Sequence, residues 1–239
     1  MWAKLWPEPA TPARGRPPRW TLSDFVEAGV RIADRGGLDA VTVASVSAEV
    51  GGSPMSIYRH VASKDDLLVL IEDAALGPPP PLTDVGGCVT DGVDDGWRAA
   101  LERWANALSE VYDRRPWLPY VPAFGPPAGP NQLAWLDAVY ALRGMGLGAP
   151  QRLALVLLLS GHVRNASRTA VEMGPMLSGD GLAGWFAFIG TRVGDRLPSL
   201  ATTMRDISEA SEIWADWDHR GFMVDRILDG IAQVAPPPD

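Results

Sequence analysis

The chain has 239 residues, of which 46% are hydrophobic and 21% charged; that balance supplies a real core and gives no general case for disorder. Its one cysteine, Cys88, excludes an internal disulfide and a cysteine-cluster zinc site and fits a reducing compartment. The formal charge of −8 is uneven: residues 1–64 net +2 and the remainder nets −10, so a polyanion is repelled by the body of the molecule and tolerated only near the amino terminus.

The length suits a small and a medium domain. "MWAKLWPEPATPARGRPPRW" is proline-rich and unpatterned, and reads as a flexible basic arm over 1–20 in place of a signal peptide's apolar core. The longest strongly apolar run, "LALVLLLSG" from Leu153, is about half a membrane span. The expectation is a cytoplasmic protein with no membrane partner.

Helix is predicted from Thr21, where "TLSD" is a capping-box variant and Leu22, Phe25, Val26, Gly29, Ile32 and Ala33 recur at helical spacing until Gly36 and Gly37. Thr42 caps a second short helix with Val43, Val46 and Val50 on its inner side, closed by Gly51 and Gly52. Ser53 is predicted to cap a third, with Pro54 at its first position. Ser63, with Asp66 three residues on, caps a fourth that is expected to bury Leu67, Leu68, Leu70, Ile71 and Ala74. Residues 77–96 have little periodicity and read as a linker. Only helix-like stretches follow, over about 97–115, 131–145, 150–174, 181–196 and 204–235, with a break near Pro198. The predicted fold is all-α: arm 1–20, helical domain 21–76, linker 77–96 and larger helical domain 97–239.

Two short helices around a glycine turn, the second carrying polar and aromatic residues, form a helix-turn-helix. Such a pair lays one helix across a DNA backbone and enters the major groove with the amino end of the next. The slim Ser53, Pro54, Met55 and Ser56 permit deep insertion. Tyr58 and His60 lie about 200° apart around a helix, which lets them flank a groove and reach separate phosphate strands. Lys64 opens the following helix, where its charge and the free N–H groups attract phosphate. Arg59 faces either solvent or DNA. The stretch 50–64 contains one acid-free patch, and 9–20 another.

The segment "VTVASVSAEVGGSPMSIYRHVASKDDLL" resembles the DNA-binding segment of the TetR family of transcriptional regulators, through "T-V-x-x-V-x-x-E-V-G", "Y-x-H-V" and "S-K-D-x-L-L", and the likeness covers roughly residues 20–76. The resemblance implies a double-stranded DNA operator as partner, with Thr42, Tyr58, His60 and Lys64 at phosphates and Ala44, Pro54, Met55 and Ser56 at bases. It departs from tetracycline-repressor-like members at Ala44 and Pro54, which carry no side-chain hydrogen bond to a base. Readout then leans on thymine methyls, on Ser56 or Arg59, and on DNA shape. In the arm, "RGRPP" resembles the core of an AT-hook, which implies Arg14 and Arg16 in a narrow minor groove.

The same resemblance implies that the second domain dimerises through its late helices and encloses a small-molecule effector. Two patterns agree. "QRLALVLLLSG" is apolar all round, and Trp217, Gly221, Val224, Leu228, Ile231 and Ala235 form a stripe that either a partner helix or the same subunit covers. Aromatic residues crowd the middle of the domain, and Trp104, Trp117, Tyr120, Phe124, Trp135 and Trp185 are the expected cavity walls, unless they are simply core. His162, Arg164, Asn165 and Arg168 interrupt the apolar helix. Of these, His162 and Asn165 are expected either to orient ligand or to pair at a dimer seam, and the turn from Pro116 to Pro130 is the expected mouth. Three scattered histidines and the lack of a nucleophile elbow, phosphate loop or dinucleotide fingerprint argue against catalysis, a metal or a cofactor. The sequence reading is a homodimeric DNA-binding regulator, a repressor released by an apolar or amphipathic effector. The alternative is a ligand-independent DNA-binding dimer whose second domain serves only for assembly or protein contact.

Overall fold

The computed structural model describes residues 5–6, 19–82, 96–177, 181–209 and 218–234. Among them are ten α-helices and no strand. The first four make a small head. Thr21 and Asp24 cap α1 (Leu22–Gly36) reciprocally, and Gly37 ends it at φ 75, a conformation that suits glycine. Thr42 and Ser45 do the same for α2 (Val43–Glu49). Gly51, at φ 72, turns the chain into α3 (Pro54–Tyr58), and Ser63 accepts from the Asp66 N–H to open α4 (Lys64–Leu76). Phe25, Val46, Ile57, Val61, Leu67 and Ile71 meet in the centre of the head. α1 and α4 approach so closely that a Cβ on Gly29 would overlap the Ile71 side chain. Arg35 (2.7 Å) and Arg31 (3.5 Å) reach Glu49 and strap α1 to α2.

Two details of the head differ from expectation. Ser53 stands at the cap position of α3, but its hydroxyl faces the Ser56 hydroxyl at 3.3 Å and caps no backbone N–H. In α4, Ala74 is exposed and Leu70 half-buried, whereas Val69, Asp73 and Ala75 are buried. α4 packs on α1 on one side and on the larger body on the other, so its covered face is wider than one amphipathic stripe.

The body holds α5 (Gly96–Arg114), α6 (Pro130–Tyr140), α7 (Ala149–Leu177), α8 (Gly181–Val193), α9 (Pro198–Glu209) and α10 (His219–Val234). α7 packs against α5, α6, α8 and α10, and α8 against α9. α6 stops five residues before its predicted end. Arg152 explains the stop, since it donates to the carbonyls of Tyr140 and Leu142 (2.9 and 2.7 Å) and to Leu147, while Gly144 and Gly146 take positive φ in the turn. The single stretch predicted over 204–235 divides as well. α9 already begins at Pro198, and Asp218 starts α10 afresh by accepting from the Gly221 N–H at 2.9 Å.

The α10 stripe is also placed differently from the partner-facing alternative. Val224 and Leu228 are buried within the subunit and Ile231 packs on the same core, while Arg98 of α5 reaches Asp229 at 2.9 Å. Trp217 and Ala235 lie outside the described residues. Of the arm, Leu5 is only 4% exposed and Trp6 donates its indole N–H to the Ala128 carbonyl at 2.8 Å, so these two residues are docked on the body. Arg14 and Arg16 lie outside the described residues. Among those described, no helix is long and apolar enough to cross a membrane.

Candidate functional site: an exposed helix pair and a carboxyl-bearing cavity

Ile57 and Val61, fully buried, act as two pegs that fix α3 and the turn after it on the head. Their neighbours are thereby turned outward. Pro54, Arg59 and Lys64 are exposed, as are Met55 (68%) and Tyr58 (51%), and Ser56 is half-buried. Thr42 and Ala44, at the start of α2, are exposed too. His60 is half-buried, its ring tilted against Phe25 with centroids 5.6 Å apart. Among the described residues neither Arg59 nor Lys64 is in an ion pair, whereas Arg31 and Arg35 on the far side of α2 are spent on Glu49. Arg59 and Lys64 thus stand exposed and outside any ion pair at the tip of the head, a fit for phosphate on either side of a groove.

The second feature lies where the head meets the body. Glu72 and Leu76 of α4, Trp104, Leu108 and Tyr112 of α5, Gln132, Trp135 and Leu136 of α6, and Leu153, Val156, Leu157, Ser160 and Arg164 of α7 enclose a cavity of about 160 Å³. A neighbouring compartment of about 210 Å³ shares Glu72, Pro127, Gln132, Leu157, Ser160 and Arg164, and opens past Ala123, Phe124, Gly125 and Pro126. The expected mouth, the proline-rich turn, thus rims this second compartment. Trp104 and Trp135 meet edge to face at 5.5 Å, and each indole N–H is tied to a main-chain carbonyl, Trp104 to Trp135 and Trp135 to Gly77. Their faces are left as apolar wall.

The polar groups of the cavity are few. Arg164 donates to the carbonyls of Pro119 and Val121, which orient its guanidinium at the wall. Burial pushes the Glu72 carboxyl up to about 7, opposed by the Arg164 charge and assisted by that of Asp73. Burial likewise pushes the Tyr112 phenol up to about 12. Glu72 accepts one long bond, 3.4 Å, from Gln132 Nε2. The next residue, Asp73, points the other way: it accepts from the N–H of Gln132 (2.9 Å) and of Asn131 and so caps α6.

Of the residues singled out from sequence, Trp104 and Trp135 line the cavity and Phe124 rims its outer compartment. The others stand elsewhere. Trp117 donates to Asp34 Oδ1 across the head–body junction, and Tyr120 lies under the Arg168 guanidinium and donates to the Arg168 carbonyl. Asn165 is exposed; His162 is half-buried with Nε2 buried and unpartnered; Trp185 is half-exposed on α8 against Phe186. Glu72, Tyr112, Gln132 and Ser160 were not found from sequence. Arg164 was noticed but not separated from its neighbours. A signal did exist, because Leu153, Leu157, Ser160 and Arg164 follow one another at steps of four, three and four, a single face of α7. Among the described residues no cluster of His, Cys, Asp and Glu is placed to hold a metal.

An outward helix-turn-helix on a small head, joined to a larger helical body with an apolar cavity at the junction, is the build of a DNA-binding regulator. The family model for bacterial regulatory proteins of the tetR family matches residues 25–71, and that for the tetracyclin repressor-like C-terminal domain matches residues 91–234. The HTH-type transcriptional repressor DrrR1 of Streptomyces coeruleorubidus is 34% identical over 95% of this chain and 83% of its own. An HTH-type transcriptional regulator of Saccharopolyspora erythraea is 31% identical over 66% of this chain and 64% of its own. The fold is also that of ActR from Streptomyces coelicolor in complex with (S)-DNPA, with TM-score 0.72 and 19% identity over 92% of this chain and 100% of that one. ActR in complex with actinorhodin gives 0.69 and 21%, over 91% and 99%. The chain belongs to the tetR family, a family of transcriptional regulators and not of enzymes.

Proposed function

We propose that the protein is a homodimeric transcriptional repressor that leaves its operator when a small apolar or amphipathic effector fills the cavity between α4, α5, α6 and α7. One observation carries the reading. Glu72 and Leu76, on the last helix of the head, form part of the cavity wall, so an effector touches the DNA-binding unit directly. An effector shifts operator binding only by its differential affinity for two head positions, and a wall built partly from the moving piece provides that difference. The apolar and aromatic lining suits such a ligand. A repressor among the relatives and a similar fold crystallised with small molecules support the same reading.

At the DNA, Thr42, Tyr58, His60 and Lys64 take phosphates, and Ala44, Pro54, Met55, Ser56 and Arg59 face base edges; Arg14 and Arg16 of the arm enter the adjoining minor groove. Dimerisation places two heads on half-sites about 34–36 Å apart, or a multiple of that. For the seam, the open apolar side chains are Trp185 and Phe188 on α8 and Phe222 and Met223 on α10. The test is a mobility-shift assay on the intergenic DNA flanking the gene. Retention at a palindromic site, by a species of twice the chain mass, and loss of that retention with a compound that quenches tryptophan fluorescence support the reading. A monomer in solution, or operator binding that no quenching compound alters, overturns it in favour of a dimer or module without effector control.

A further inference from the structure

Among the described residues two charged groups line the cavity, Glu72 and Arg164, and they differ in how far they are satisfied. Arg164 gives its Nε and one terminal nitrogen to the carbonyls of Pro119 and Val121. Glu72 has a single long bond from Gln132, and among the described residues it is in no ion pair, feeling the Arg164 charge only across the cavity. Glu72 lines both compartments of the cavity, and its neighbours in the inner wall include Trp104, Trp135, Leu108 and Leu157. A carboxylate in such surroundings is poorly solvated, and three things relieve it: a proton, a movement of Arg164, or a cation brought in from outside. Moving Arg164 would strip two carbonyls of their donor, so the unmet demand at this site is for positive charge.

We infer that the effector is an organic cation, a flat apolar body bearing a protonated amine, whose ammonium pairs with Glu72 while its rings lie between the tryptophan walls and Leu157. The inference rests on the cavity being the effector site. Charge-assisted hydrogen bonds are the strong ones, and a desolvated site raises their worth. The aromatic faces of Trp104 and Trp135 favour a cation over an anion in the same place. The groups turned toward Glu72 from its neighbours are Arg164 of α7, Tyr112 of α5 and Gln132 of α6, with Asp73 beside it on α4. Because the Glu72 carboxyl sits at about 7, amine binding displaces a proton from part of the population, and affinity for a strongly basic amine rises between pH 6 and pH 8.

The test uses three anthracene probes of one shape, 9-(methylaminomethyl)anthracene, 9-(hydroxymethyl)anthracene and anthracene-9-carboxylate, titrated into the full-length protein and its Glu72→Gln variant while tryptophan quenching is followed. The amine is expected to bind the parent protein ~10- to 100-fold more tightly than the alcohol, with the carboxylate weakest. In Glu72→Gln the amine's advantage over the alcohol disappears while the alcohol binds as before, which also reports that the cavity is intact. Equal binding of amine and alcohol to the parent, tightest binding of the carboxylate, or an advantage that survives in Glu72→Gln overturns the inference and leaves the cavity an effector site. Failure of all three probes to bind overturns both this inference and the effector reading beneath it.

Discussion

The Trp117 indole of the body donates to Asp34 Oδ1 of α1 at 2.8 Å, and Arg115 Nε lies 3.3 Å from the same oxygen. Arg115 also donates to the Ala75 carbonyl in α4. The body therefore grips the head at two helices, and since α1 and α4 interlock at Gly29 and Ile71, the grip acts on the head as one piece. Trp117→Phe keeps a ring but loses the bond. The expected cost is about 1–2 kcal/mol, or a fall in Tm of roughly 2–8 °C, read by calorimetry. Effector-free operator binding should survive, while the effector's power to release DNA weakens; unaltered release would show that α4 alone carries the signal.

Asp73 is the cap of α6, and its loss should be felt far beyond α4. Asp73→Ala leaves the N–H groups of Asn131 and Gln132 without their acceptor and is expected to cost about 2–3 kcal/mol in denaturant unfolding. Gly129→Ala gives an independent check, because its Cβ would overlap the Asp73 carboxylate and dislodge the cap without removing it. Comparable losses from the two substitutions, with little addition when they are combined, mark a shared mechanism.

Salt dependence separates DNA-facing cations from structural ones. Lys64→Ala should weaken operator binding and flatten the plot of log affinity against log salt by about one unit per subunit. Tyr58→Phe should weaken binding without that change of slope. Arg35→Ala is the control: it breaks the clasp to Glu49 and lowers stability, but leaves the slope as it was.

Glu72 gives a pH signature in the protein without ligand. Its carboxyl is raised from 4.5 to about 7 in the folded state, so folded protein holds a proton that unfolded protein has released between those values. Stability from this group is complete below about pH 4.5 and is lost as pH rises through 7. Glu72→Gln removes the penalty. The variant is expected to match the parent at pH 4.5 and to exceed it by roughly 2–3 kcal/mol at pH 8. Paired urea melts at the two pH values measure the difference, and a gain that is the same at both would assign it to packing instead of charge.

The head was legible because its signals are local. Thr21, Thr42 and Ser63 stand three residues from the N–H groups they cap, and Gly37 and Gly51 mark turns that only a positive φ allows. The cavity was not, because its wall is collected from four helices and no window of sequence contains it. Aromatic content singled out Trp104 and Trp135, which line the cavity, and by the same criterion it admitted Trp117, whose N–H goes to a carboxylate in α1. Glu72 was invisible for a related reason: in sequence it is one acid in "IEDAAL", and only the arrival of α5, α6 and α7 makes it half-buried against an apolar wall. The division between α9 and α10 was missed because Asp218 reads as one more charged residue until its carboxylate is seen at the Gly221 N–H. No local pattern in the arm marks Leu5, which is buried, or Trp6, whose indole N–H goes to the Ala128 carbonyl over a hundred residues away in sequence.

The side-by-side placement of Glu72 and Asp73 bears on anyone who would retune this regulator as a biosensor. Substituting along α4 to change what the cavity accepts disturbs, one peptide bond away, the residue that keeps α6 in place, so libraries there will mix altered binding with plain misfolding. Leu153, Leu157 and Ser160 border the same space from α7 without any such second duty. Diversity introduced on that opposite wall should yield folded, inducible variants at a much higher rate.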